Sequence, residues 1–261
     1  MTLAYDLGGS GSAAGPTVVL LHSGICDRRM WDPQWQVLQD TGHRVLRCDF
    51  RGFGETPIDA GDPAYSDAQD VIDLLDELDI TDAAVIGSSF GGRVAQEIAA
   101  RWPARVSTLG LLCAATRQLP PTDAVKAFGE REDKLLESGD IEGAVALNVE
   151  TFLGPAADAA TRTAVADMQR RAFEVQLAFD AELAATGEVV APDRAEFDLA
   201  DVTARTLVVS GGLDIDFFQL TATMLARKIT NATHVVLPWA GHLPSLENPA
   251  EANKILLDFL R

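Results

Sequence analysis

The chain has 261 residues, 47% of them hydrophobic and 23% charged. These are ordinary values for a soluble globular protein with a sizeable core, and they exclude a fibrous, disordered or disulfide-stapled miniature protein. Asp and Glu outnumber Lys and Arg by 39 to 21, giving a net charge of −18; a surface this acidic repels phosphate backbones and anionic lipid, so nucleic acid and membranes are not expected as partners.

The acidic excess reads first as a solubility device. It also leaves room for an acidic rim around a site, or for a basic carrier partner. The opening MTLAYDLGGSGSAAG has no basic start and no apolar stretch of the kind a secretory signal needs. No uninterrupted run of about 18 apolar residues is present to span a bilayer. Cys26, Cys48 and Cys113 are an odd, widely spaced set without metal-type spacing. They are expected as small buried thiols in a reducing, cytoplasmic setting.

A short strand is expected at Leu3–Asp6 and a second at Thr17–His22. Between them Gly9-x-Gly11-x-x-Ala14 fits a loose dinucleotide fingerprint, but a strand follows it where that motif requires a helix. It therefore reads as a turn. A helix opens at Asp32-Pro33 and runs to Asp40, and Arg44–Asp49 is the next strand. Asp67–Leu78 places Val71, Leu74, Leu75 and Leu78 on one helical face. Ala83–Gly87 is a wholly apolar strand, Phe90–Arg101 a helix halted at Trp102-Pro103, and Val106–Cys113 another strand. Alternating strands and helices with apolar strands imply a parallel sheet covered on both faces.

That rhythm stops between Arg117 and Ala200. Pro120-Pro121 opens this region, Pro192 lies near its end, and helices are expected at Asp123–Glu137, Ile141–Phe152 and Asp158–Ala185. Strand alternation resumes with Thr206–Ser210, a helix Phe217–Ile229, a strand Thr233–Leu237 and a final helix Pro249–Leu260. The expected organisation is a core of residues 1–116 and 201–261 carrying a helical cap, 117–200. The cap is placed to roof the C-terminal edge of the sheet, where open α/β sheets bind ligands.

The segment from Ala83 to Gly92 holds Gly87-x-Ser89-x-Gly91 between an apolar strand and a helix. A residue raised on so sharp a turn is strained, and side chains two positions to either side would collide with the turn. Glycines at 87 and 91 remove that collision, and Gly92 lets the helix pack close. Ser89 is therefore the candidate nucleophile, and Ser88 is expected to point back into the sheet.

A serine hydroxyl needs an oriented base. Of the four histidines, His43 sits in a turn, His234 opens a strand, and His22 ends a strand where it reads as support for the following loop. His242 lies in a loop between the last strand and the last helix, within reach of the Ser89 edge, and is the candidate base. Asp214, in the loop after Thr206–Ser210, is the candidate partner for its imidazole, with Asp216 as competitor. An oxyanion needs two backbone donors. The amide of Phe90 is one, and Gly24, or its neighbour Ile25, supplies the other.

In LLHSGICDRRMWDPQ, RCDFRGFGETP, IGSSFGGRVAQEIAARWPARV, LVVSGGLD and GHLPSLENP the chain resembles the α/β-hydrolase family, in particular its capped esterase, enol-lactonase and carbon–carbon hydrolase-like members. The pieces appear in family order, as does the chain order Ser, Asp, His. The resemblance implies a doubly wound, mostly parallel sheet with an inserted cap. It implies a serine hydrolase acting on an ester, lactone or thioester of a small, largely apolar molecule, with no cofactor called for. The chain departs from the family's usual His-Gly by inserting Ser23. Serine at 89 argues against the dehalogenase and epoxide hydrolase branches, whose nucleophile is aspartate.

Arg93 stands where lyase-like members of menaquinone biosynthesis carry arginine. It reads either as an anion contact or as a helix residue paired with a nearby acid. Arg51 is expected to brace the turn behind the site. Phe53, Phe90 and Trp31 are candidate lining residues or ordinary core aromatics. Phe128, Phe152, Phe173, Phe179 and Phe197 are candidates for an apolar roof. A lyase, carbon–carbon cleavage or acyl-transfer step with the same three residues is an alternative activity, and a non-catalytic ligand-binding protein of this fold is a third reading.

Overall fold

Among the described residues seven strands form one sheet: β1 (Tyr5–Gly8), β2 (Thr17–Leu21), β3 (Val45–Cys48), β4 (Ala83–Ser88), β5 (Val106–Leu112), β6 (Arg205–Gly211) and β7 (Ala232–Leu237), in the order β1-β3-β2-β4-β5-β6-β7. All neighbours are parallel except β1, which runs antiparallel to β3 at the edge. The computed structural model describes residues 3–11, 15–59, 64–187, 193 and 195–261. Ala14 and Pro192 lie outside the described residues. Gly9 and Gly11, both at positive φ, follow β1 in a turn, as their context required.

The helices follow from the same alternation: α1 (Asp32–Asp40), α2 (Asp67–Glu77), α3 (Phe90–Arg101), α4 (Asp123–Glu137), α5 (Ile141–Phe152), α6 (Ala159–Thr186), α7 (Asp216–Lys228), the single turn α8 (Pro244–Glu247) and α9 (Pro249–Leu260). Their starts are capped by side-chain oxygens that accept a backbone amide in the first turn: Ser66 for α2, Thr122 for α4, Asp140 for α5, Asp158 for α6 and Asn248 for α9. Among the described residues, four short pieces are additions to the sequence reading: 3-10 turns at Arg28–Trp31, Pro103–Arg105 and Leu199–Asp201, and α8 after His242. All are too short to carry a readable apolar period.

The period of two along each strand splits the core into two layers. Val19, Leu21, Val85 and Val208 face α2, α3 and α7, meeting Val71, Leu75, Ile98 and Leu225. Val18, Leu20, Ile86 and Val209 face the other side, meeting Trp31, Leu38, Leu246 and Leu256 of α1, α8, α9 and the turn before α1. Each such side chain taken from water contributes about 1.5–3 kcal/mol, so the two layers fix the sheet between its helices. Trp31 is fully buried in the second layer.

Helices α4, α5 and α6 lie in sequence between β5 and β6. They pack on each other through Ala144, Val145 and Phe173. Leu153, Ala157, Val165 and Met168 join the second layer beneath. The insertion is thus anchored into the core, not merely tethered to it.

Candidate active site

Ser89 stands between β4 and α3 at φ 50° and ψ −110°. A non-glycine residue held there stores about 1–3 kcal/mol of strain. The surroundings over-determine it: its amide donates to the Leu112 carbonyl at 2.9 Å, and its carbonyl accepts from Arg93 and Ala115 at 3.0 Å each. A Cβ on Gly87 would lie 2.3 Å from the Gly91 carbonyl oxygen, and one on Gly92 would lie 2.6 Å from the Ala114 Cβ. The glycines are therefore required by backbone approach, as the motif predicts. Ser88 is fully buried.

His242 and Asp214 meet at the same edge. The His242 Nδ1 lies 2.7 Å from Asp214 Oδ2, and both side chains are almost wholly buried. Asp214 is steadied by two further bonds: its Oδ1 accepts the Ile215 amide at 2.8 Å, and its carbonyl accepts from Gln219 Nε2 at 2.6 Å. The competitor Asp216 is engaged elsewhere. It accepts the Thr122 hydroxyl at 2.6 Å, joining the start of α4 to α7. With Asp214 accepting, Nδ1 carries the proton and Nε2 is left as the basic nitrogen.

The loop after β2 passes beside the elbow. A Cβ on Gly24 would come within 3.4 Å of the Phe90 Cβ, and the Gly91 amide donates to the His22 carbonyl at 2.9 Å. Within the loop the Ser23 amide goes to Met30 Sδ and the Cys26 amide to the Ser23 carbonyl. The amides of Gly24 and Ile25 lie in this loop, and that of Phe90 opens the first turn of α3. The inserted Ser23 is absorbed by the sulfur contact.

His22 supports this loop, as expected. Its Nε2 accepts the Phe50 amide at 3.0 Å, so its Nδ1 donates to the Ser23 carbonyl at 2.8 Å. Burial holds its pKa below the ordinary 6.5. The folded state therefore resists a proton that the unfolded chain accepts as pH falls through 6.5, so stability should decline below that pH. Denaturant unfolding between pH 7 and 5 should show the decline, bounded by about 1.4 kcal/mol per pH unit for one proton. His22→Gln should remove the share of His22 and leave that of His43 and His234, which burial lowers in the same direction.

Apolar side chains surround His242. The rings of Phe218 and Phe152 lie 4.1 and 4.9 Å from its imidazole, and Phe128 stacks edge-on against Phe152 at 4.9 Å. Ile25, Ala115 and Val125 pack on the same cluster. The site thus has a dry wall contributed by α4, α5, α7 and the loop after β2.

Residues 18–255 match the alpha/beta hydrolase family. The chain belongs to that family. A relative from Variovorax paradoxus (strain S110), named "Putative carbamate hydrolase RutD", is 32% identical over 268 residues, covering 100% of this chain and 96% of that protein. Among solved structures, the enol-lactonase from Burkholderia xenovorans LB400 is 25% identical with a TM-score of 0.76, covering 99% of this chain and 96% of that one. A thermophilic esterase from Thermogutta terrifontis is 26% identical with a TM-score of 0.78, covering 99% and 93%.

Within this alpha/beta hydrolase, the remaining sequence candidates sort by position. Arg93 turns to Asp67 of α2, at 3.3 Å, and lies over the Phe90 ring at 4.4 Å; this is the paired-helix arrangement. Burial raises the Asp67 carboxyl against the opposing pull of Arg93. Arg51 braces the turn through a two-pronged bond to Asp70 at 2.7 and 2.9 Å. Phe53 and Phe90 pack around His22 and Phe50. Of the five roof candidates, only Phe128 and Phe152 lie in the cluster around His242. Phe173 is spent on packing between α5 and α6, Phe179 lines a hollow with Pro57 and Ile58, and Phe197 packs on the first core layer. Phe217 and Phe218 are wall aromatics that sequence reasoning missed; their signal was an aromatic pair directly after Asp216, at the start of α7.

Among the described residues, one group could bring three ligand atoms together: Cys113, Asp214 and His242, within 4.8 Å of one another. Two of the three are already bonded to each other. Burial, reinforced by Asp214, holds the Cys113 thiol far up in its protonated range. Cys26 and Cys48 are likewise buried free thiols. No helix among the described residues is long and apolar enough to cross a membrane.

Proposed function

We propose that this chain is a serine hydrolase that cleaves an ester, lactone or thioester of a small, largely apolar acid. The observation that carries the reading is the Asp214–His242 bond at the same sheet edge as a strained Ser89, with an apolar wall around the imidazole. His242 Nε2 takes the proton of the Ser89 hydroxyl as Oγ attacks the carbonyl carbon. Asp214 holds the imidazole in the tautomer that leaves Nε2 free and stabilises the cation that forms. The amides of Phe90 and Gly24 receive the developing oxyanion. His242 then gives its proton to the departing alcohol or thiol. Water, deprotonated in turn by His242, attacks the acyl-serine, releases the acid and restores the Ser89 hydroxyl.

Two features support a neutral, apolar acyl group. The wall residues Phe128, Phe152, Phe218 and Ile25 carry no charge, and Arg93, the candidate anion contact, is held by Asp67. The names of the three relatives given above, a carbamate hydrolase, an enol-lactonase and an esterase, agree with this class. Helices α4 to α6 act in this reading as the cap.

An alkyl fluorophosphonate should add one covalent adduct per chain, at Ser89, seen by intact-mass and peptide mass spectrometry. Ser89→Ala should lose both the adduct and turnover of short-chain aryl esters. An adduct on another residue, or none on a folded chain, overturns the reading.

A further inference from the structure

One buried carboxylate touches the loop of the candidate base without being part of the proposed reaction. Glu247, at the end of α8, is 5% exposed. Its Oε2 accepts the Gly241 amide at 2.9 Å and the Gly154 amide at 3.1 Å, and its Oε1 accepts the Leu243 amide at 3.0 Å. Two of those amides flank His242. The third belongs to the segment that leaves α5. That segment is in direct contact with the loop, since the His242 amide donates to the Phe152 carbonyl at 2.8 Å.

The approach is close enough to demand glycine on both sides. A Cβ on Gly154 would stand 2.4 Å from Glu247 Oε2 and 2.7 Å from the Gly241 nitrogen. A Cβ on Gly241 would stand 2.5 Å from the Gly154 nitrogen. Burial pushes the Glu247 carboxyl up, while the three amides and the nearby His242 favour its charged form. A carboxylate taking three backbone amides in a dry site holds all three in one geometry, because charge-assisted bonds are the stronger kind and each amide left unpaired would cost its full desolvation.

We propose that Glu247 is a positioning residue for His242: its carboxylate clamps the two amides that flank the base to Gly154 at the end of α5, so the imidazole is aimed only while that helix end is seated. The proposal rests on the serine-hydrolase reading above. It adds that the aim of the base and the seating of the inserted helices are one event. Phe152, two residues before Gly154, forms part of the wall around His242. A displacement of the α5 end therefore moves the wall and the base together.

Glu247→Gln keeps the side chain's length but replaces one accepting oxygen with an amide nitrogen, which cannot accept from the N–H it faces. The expected result is a fall in kcat of about 10–100-fold for the best short-chain aryl ester, with KM within about threefold, because a small misaim of the base costs rate without costing binding. The rate of fluorophosphonate addition to Ser89 should fall by the same factor, with a cooperative thermal transition retained. Gly154→Ala drives a methyl into the same carboxylate and should give the same kcat-specific loss. In the double variant the two losses should not multiply, since both break one clamp.

A folded Glu247→Gln chain with kcat within threefold of the native value overturns the proposal. So does a rise in KM with an unchanged labelling rate, which would make Glu247 a part of the binding wall alone. If Glu247→Gln does not fold, Gly154→Ala decides by the same criteria. Labelling of the native chain separates the two levels: an unlabelled Ser89 refutes the serine-hydrolase reading, whereas a labelled Ser89 with an indifferent Glu247 refutes only the clamp.

Discussion

Asp214→Asn is expected to lower kcat about 10⁴-fold while leaving the thermal midpoint and KM near their native values. The size follows from one bond. In the native chain Asp214 Oδ2 can only accept, so the proton of His242 lies on Nδ1 and the lone pair on Nε2. Asparagine offers an NH₂ group at one of its two positions. Its oxygen is drawn to the Ile215 amide, which already bonds Asp214 Oδ1 at 2.8 Å, so the NH₂ turns toward the imidazole. The ring then puts its lone pair on Nδ1 and its proton on Nε2, where Ser89 needs a base. The side chains have nearly the same volume, so packing around the 1% exposed carboxylate should survive. Pre-steady-state acylation with a chromogenic ester isolates the affected step. A loss smaller than tenfold would mean that Asp214 does not set the tautomer. Asp216→Asn is the matched control: its carboxylate accepts from Thr122 and lies outside the His242 bond, so kcat should change less than twofold.

Gly91→Ala is expected to destabilise the fold by about 3 kcal/mol or more, the upper part of the range for overpacking. The added methyl would lie 2.4 Å from the Leu21 carbonyl oxygen and 2.6 Å from that of His22. Both are backbone atoms at the end of β2, a strand held on either side by β3 and β4, so neither can rotate away as a side chain would. Relief requires moving α3 off the sheet or moving the loop that carries Gly24. Either motion also breaks the bond from the Gly91 amide to the His22 carbonyl. Denaturant melts should show the loss of stability, and any folded fraction should label slowly at Ser89. A variant as stable as the native chain would show that the elbow has slack that the geometry does not provide.

Much of this was readable from residue order. Helices α1, α3, α4, α5 and α9 have the predicted limits, because Pro33, Thr122, Asp140 and Pro249 mark their starts and the apolar period carries them onward. The apolar strands imply a doubly covered parallel sheet, and order along that sheet brings Ser89, Asp214 and His242 to one edge. Local rules end where contacts join distant segments. Spacing favours Asp214 but keeps Asp216 as a competitor, until Thr122, some ninety residues earlier, captures the second. Arg93 and Asp67 find each other across two helices. Phe217 and Phe218 read as ordinary helix residues until α7 is set against the α5 end. Glu247 looks like any acid near a helix start, and its three amides come from Gly154, Gly241 and Leu243. Nothing periodic announces a carboxylate that gathers amides from separate loops.

The contact between Gly154 and Gly241 has a bearing on how this scaffold can be diversified. Insertions of this kind invite exchange as cassettes, in which one set of helices is traded for another to change what the pocket accepts. Here the seam does not run where the sheet ends and the helices begin. The stretch from Phe152 to Gly154 belongs mechanically to the His242 loop, since it accepts the His242 amide and donates to Glu247. A graft cut at the sheet boundaries would carry away part of the machinery it meant to leave untouched. A graft that retains residues 152–154 from this chain and replaces α4 and the outer turns of α6 would vary the apolar wall while keeping the His242 loop in register.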